Sequence, residues 1–265
     1  MKNSFLLIAA LFITTFTTFA QNSKAKNTNT IVIVHGAWSS AGDWQHVADD
    51  LTAEGNSVIS VNLPGHGSDK TAVSAISLNL YVDAVKKAIG NKQNVILVGH
   101  SFGGIVASEV AEQLAPQIMK IIYIAAYVPK SGESLLSIAQ TDAESHVGKN
   151  LIVDEKAGIA SIKKDGIADV FLADAPKQVA DYVSNNLRPE PLAPLATPVS
   201  LSEGKFGKIS KVFVYCLNDH TIGYTLQQKM AKDAGIERLY ALPSSHTPFI
   251  MFPHVLAQII ALEAK

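Results

Sequence analysis

Short runs that are apolar from end to end alternate with helical segments along most of this chain. The runs include "TIVIVHG", "NVILVGH", "MKIIYIAAYVP", "KVFVYCLND" and "ERLYALP". A strand with one wet face alternates apolar and polar residues. These runs do not, so both of their faces must be covered, as in a parallel sheet. Trp44–Glu54, Leu78–Ile89, the stretch after Gly104, Thr225–Ala234 and Pro253–Glu263 carry helical spacing between the runs. "NSVISVNLPGHG" reads as a further strand followed by a Pro/Gly loop. The pattern predicts an α/β fold, with a mostly parallel, doubly wound sheet and helices on both sides. From about 130 to 205 the alternation stops. That segment has weak helical patterns, few strand runs and the proline cluster "RPEPLAPLATP". It reads as an insertion, a small cap over the carboxyl ends of the strands, where open α/β sheets place their sites. No internal repeat, Walker loop, HExxH or post-strand GxGxxG is present.

With 265 residues, 48 % hydrophobic and 17 % charged, the chain can bury a sizeable core. Its formal charge of −1 gives no footprint for nucleic acid or an anionic membrane. The first twenty residues differ from the rest. Lys2, the apolar run Phe5–Ile13 and "TTFTTFA" ending at Ala20 have the form of a secretory signal peptide. The apolar run is short for a bilayer span, so an uncleaved anchor is the lesser alternative. The expected organisation is a signal peptide at 1–20, a flexible leader at 21–29 and one domain at 30–265. Export to a periplasm or the medium follows, with no stable membrane insertion after cleavage. Cys216 is the single cysteine, so no intramolecular disulfide and no multi-thiolate zinc site can form. It reads as a core residue of its strand.

One joint carries chemistry. Gly99-His100-Ser101-Phe102-Gly103 matches G-x-S-x-G, with a strand before it and Gly104 and a helix after it. Such a turn is sharp enough to hold the serine in a strained conformation, its hydroxyl exposed at the top of the sheet near a helix N-terminus. Ser101 is thus the candidate nucleophile. A serine hydroxyl needs a base, and the base needs an orienting acid. In this architecture the chain order is serine, acid, histidine. Of the eight histidines, His246 in "LPSSHTPF" alone follows the last strand and precedes the final helix. Asp219, just past "VFVYCLN", is the expected acid, and Asp142 in the insertion is its competitor. The oxyanion of an acyl-transfer intermediate needs two donors. The N–H of Phe102 and the N–H of Ala37, in the loop after the first strand, are the candidates. Trp38, Phe171 and Leu172 are candidate pocket residues, although each can equally serve packing. His220 has no assigned role.

"HGAW", "LPGHG", "LVGHSFGG", "YIAAYVP", "YCLND" and "SSHTPF" resemble the alpha/beta-hydrolase superfamily. Within it they resemble the branch of plant methylesterases and hydroxynitrile lyases with their bacterial esterase relatives. The resemblance runs over nearly all of Thr30–Lys265. It implies the alpha/beta-hydrolase fold with a small helical cap, a Ser101–Asp219–His246 triad, an oxyanion hole from Ala37 and Phe102, and neither cofactor nor metal. The partner it implies is a small-molecule ester. Hydroxynitrile lyases of this branch carry a lysine directly after the catalytic histidine, where this chain has Thr247. The expected function is therefore ester hydrolysis of small to medium apolar substrates. Other triad chemistry, including a lyase, and a non-catalytic binding protein on the same fold are the rivals.

Overall fold

Nine strands and eleven α-helices follow one another in the computed structural model, which describes residues 29–265. The expected signal peptide and leader residues 21–28 lie outside the described residues. The strands of the main sheet are β1 (Thr30–Val34), β2 (Ser57–Val61), β3 (Val95–His100), β4 (Ile118–Ile124), β8 (Ser210–Cys216) and β9 (Arg238–Leu242). They run β2-β1-β3-β4-β8-β9, every pair parallel. The unbroken apolar runs conceal a period of two. Val32, Val34, Val95, Leu97, Ile121, Tyr123, Phe213 and Tyr215 face one core. Ile31, Ile33, Ile96, Val98, Ile122, Ile124, Val212 and Val214 face the other.

Helices α2 (Leu78–Ile89), α3 (Gly103–Gln113) and α9 (Tyr224–Asp233) supply residues to the first core. Helices α1 (Gln45–Ala53), α10 (Pro248–Met251) and α11 (Pro253–Glu263) supply the second. Helix α2 starts where the Ser77 hydroxyl accepts the N–H of Leu80 at 3.2 Å, and stops at Gly90. Cys216 is fully buried in β8. Asn29, the last leader residue, is buried and donates from its side chain to the Ala264 carbonyl. Among the described residues no helix is long and apolar enough to cross a membrane.

The cap lies between β4 and β8. It holds α4 (Leu135–Ala139), α5 (Val147–Asn150), α6 (Ile167–Phe171), α7 (Lys177–Asn186) and α8 (Leu192–Ala196). It also holds a three-stranded antiparallel sheet of β5 (Leu151–Asp154), β6 (Ile159–Ile162) and β7 (Glu190–Pro191). The sequence pattern does not reveal this sheet. Its strands have four, four and two residues, Ile152 and Val153 face solvent, and Pro191 sits on the edge strand, where a missing N–H is tolerated. Ile162, Ile167, Val170, Phe171, Leu172 and Ala180 form the cap's own core, with Trp38 and Ile250 packed against it.

Candidate active site

Ser101 and Phe102 are the two residues between β3 and α3. The φ of Ser101 is +52°, a left-handed value that a serine adopts only under constraint. The constraint is hydrogen-bonded. Ser101 donates its N–H to Ile124 at 3.3 Å, and its carbonyl accepts from Gly104 at 3.0 Å and Tyr127 at 3.1 Å. The flanking glycines have no room for a side chain. A Cβ on Gly103 would lie 2.2 Å from the Val34 carbonyl oxygen, and one on Gly99 would lie 2.8 Å from that of Gly103. The elbow therefore presses against the end of β1, which brings the Ala37 loop to the nucleophile.

The histidine and the acid come from neighbouring loops. His246 Nδ1 lies 2.8 Å from Asp219 Oδ2, and both side chains are almost wholly buried. Asp219 Oδ1 accepts the N–H groups of Thr221 at 2.7 Å and Ile222 at 3.0 Å. With Nδ1–H donated to that carboxylate, His246 keeps Nε2 as its proton acceptor. Among the described residues no hydrogen bond joins the Ser101 hydroxyl to His246. Such contacts commonly tighten only with substrate in place. Asp142 does not reach the histidine. It accepts the N–H of Gly223 at 2.8 Å and of Glu144 at 3.1 Å, bracing the acid loop from the cap, and burial pushes its carboxyl above the usual range.

The N–H groups of Ala37 and Phe102 donate to no acceptor among the described residues. Both flank the elbow and are free to receive an oxyanion. Trp38 serves pocket and packing together. Its ring lies 5.6 Å from Phe171, its indole donates to the Ala160 carbonyl at 3.0 Å, and it lines a cleft with Ala37, His100, Phe171 and His246. Leu172 does not line that cleft. It follows the last residue of α6 and is buried in the cap's core, while Phe171 turns toward His246 at 6.0 Å. The expectation that Leu172 contacts substrate is corrected on this point.

Several supporting residues escape a reading of the sequence. Fully buried His100 donates from Nε2 to the His246 carbonyl at 2.8 Å, and burial holds its imidazole well below the usual range. Gln227 on α9 is fully buried below Asp219. Its amide oxygen accepts the Cys216 N–H at 3.0 Å, and its NH₂ reaches the carbonyls of Ile222 at 2.7 Å and Cys216 at 3.1 Å and Asp219 Oδ2 at 3.3 Å. Its only sequence signal is a polar residue among the apolar positions Leu226, Met230 and Ala231. Glu190 on β7 is buried against His66 Nε2 at 2.8 Å, Tyr81 at 3.4 Å and the Trp38 N–H at 2.9 Å. Burial opposes charge on His66, but the hydrogen bond and charge of Glu190 outweigh it and raise the imidazole's pKa. Thr247 donates its hydroxyl to the Phe171 carbonyl at 3.0 Å, so it fastens the histidine loop to the cap.

A model of the alpha/beta hydrolase family matches residues 31–259. A putative chloroplastic methylesterase, number 11, of Arabidopsis thaliana is 29 % identical over 88 % of this chain, which spans 63 % of that relative's own length. A pyrethroid hydrolase of Sphingobium wenxiniae is 26 % identical over 87 % of this chain and 86 % of its own. A carbendazim hydrolyzing esterase of a Nocardioides species is 28 % identical over 87 % and 97 %. Among solved structures, an extracellular alpha/beta-hydrolase from a Paenibacillus species superposes with a TM-score of 0.76 at 25 % identity. It covers 88 % of this chain and 98 % of its own.

Proposed function

The chain belongs to the alpha/beta hydrolase family, and on that premise we propose that it is an exported serine esterase cleaving carboxylic esters of small to medium apolar substrates. One observation carries the reading. A buried Asp219–His246 contact of 2.8 Å stands beside a serine held at φ +52°. Relatives named methylesterase, pyrethroid hydrolase and carbendazim hydrolyzing esterase support the ester linkage as the bond cleaved. The largely apolar cleft, with Trp38, Phe171 and Ile250 in its wall, supports an apolar substrate.

Ser101 Oγ attacks the ester carbonyl as its proton passes to His246 Nε2. The new oxyanion takes hydrogen bonds from the Ala37 and Phe102 N–H groups. Asp219 holds the ring and stabilises the imidazolium. His246 then protonates the leaving alkoxide, and the alcohol departs. Water enters, gives its proton to His246 and attacks the acyl-enzyme. Collapse of the second tetrahedral intermediate returns the proton to Ser101 and releases the acid.

The test is hydrolysis of p-nitrophenyl esters of increasing chain length by the wild-type chain and Ser101→Ala. The variant should lose at least about a thousandfold in kcat/KM. Equal turnover by both would remove Ser101 from the mechanism. Inactivity of both, with no labelling of wild type by a fluorophosphonate, would favour the binding-protein rival. Export is tested by the mass of protein recovered outside the cytoplasm, which should begin at Gln21. Retention of the full-length chain in the cytoplasm would overturn it.

A further inference from the structure

The loop that carries Asp219 ends in a cluster the ester reading does not use. His220, the next residue, points its Nδ1 at Asp169 Oδ1, 3.0 Å away. His146, directly before α5, points its own Nδ1 at the same oxygen from 2.9 Å. The two imidazole rings stand 4.3 Å apart at 43°. All three side chains are only about one-third exposed.

We propose that His146, Asp169 and His220 form a transition-metal site, suited to Zn²⁺, that fastens the cap to the loop of the acid. Two imidazoles and one carboxylate are the donor set that divalent ions such as zinc prefer, whereas magnesium and calcium require oxygen-rich sites. The donor atoms all lie within 4.8 Å of one another. Ligands on a tetrahedral zinc stand roughly 3.3 Å apart, given bonds of about 2.0–2.1 Å. Both imidazole-to-carboxylate separations of about 3 Å need only a small outward adjustment to admit the ion.

The scaffold behind the donors is already braced. The N–H of His146 donates to the His220 carbonyl at 2.8 Å, Ser145 Oγ to the Thr221 carbonyl at 2.8 Å, and Thr221 Oγ1 to the Val170 carbonyl at 2.8 Å. Partial exposure leaves an entry path and room for a water as fourth ligand. Among the described residues Lys149 is the one lysine or arginine competing for the carboxylate, with Nζ 3.2 Å from Asp169 Oδ2, and it is exposed enough to swing away. A bound ion would join α6 of the cap and the residue before α5 to the residue after Asp219, and would hold that loop against cap motion.

The test does not depend on esterase activity. The chain, stripped of metal with a chelator, is titrated with zinc chloride by calorimetry at about pH 7.5. One equivalent should bind and raise the melting temperature. Magnesium should give no such heat. His146→Ala and Asp169→Asn should each weaken binding at least about tenfold. Lys149→Gln keeps all three ligands, removes the competing charge and should tighten binding, so the proposal stays testable if a ligand variant folds poorly. No binding by wild type, or equal zinc binding by wild type, His146→Ala and Lys149→Gln, would overturn it.

Discussion

Gln227 shows how much of the site rests on a residue that takes no part in the chemistry. Its amide satisfies the Cys216 N–H and the Cys216 and Ile222 carbonyls, all behind the acid. A buried backbone group left without a partner costs about 1–3 kcal/mol. Gln227→Ala should therefore destabilise the fold and loosen the acid loop together. The expected kinetic signature is a fall of about tenfold or more in kcat with little change in KM, since the residue does not line the cleft. A fall confined to KM would show that it shapes substrate binding instead. His100 works similarly from the other side, holding the carbonyl of His246 rather than its ring. Ser101 and His246 are legible at this scale because motif and chain order name them, and Asp219 is legible as the expected acid with Asp142 left as its competitor. Gln227 and His100 are not, because their roles consist of contacts with backbone that only folding brings near.

At the scale of elements, the joint between cap and sheet is a buried ionic cluster. Glu190 on β7 meets His66, which follows β2, and Tyr81 on α2, and it accepts the Trp38 N–H as well. Removing one member of a buried pair costs about 3–5 kcal/mol, because the other is left charged or unpaired in a dry place. Glu190→Ala should lower the melting temperature by roughly 10 °C, at about 2–4 °C per kcal/mol for a chain of this size. It should also raise KM, since Trp38 loses the acceptor that fixes its backbone beside the cleft. Unchanged melting would mean that the cap is held by its apolar contacts alone. The alternation of strand and helix is plain in the sequence. The cap sheet is not, because strands of two to four residues carry too little period to read.

Over the whole molecule, buried histidines set the response to acid. Burial, then the proximity of His66, holds His35 down to about 3, and His100 is also held well below its ordinary value. Both stay neutral in the fold while the unfolded chain takes up protons near pH 6.5. Their contribution is therefore complete above about pH 6.5 and is lost as pH falls toward the folded values. Two protons set a maximum slope of about 2–3 kcal/mol per pH unit. His66 has the opposite sign. Its raised pKa gives a contribution complete below about pH 6.5 and lost as pH rises through the folded value. Urea midpoints measured across pH should fall on the acid side, and more gently in a His35→Gln variant. An unchanged slope in that variant would refute the assignment. What the sequence by itself determined is local or periodic: parallel sheet, elbow, and the order serine, acid, histidine. The strands read clearly because burial on both faces allows only apolar residues, and the elbow reads clearly because Val34 and Gly103 leave no space for a Cβ. The tertiary structure alone decided which carboxylate the histidine meets, what braces it and how the cap is anchored. Position after its strand favours Asp219 over Asp142 in the sequence, and the pairing of β8 with β9 carries the Asp219 loop to His246. The His66–Glu190 pair spans 124 residues, and no local pattern encodes a contact that chain folding must first bring together.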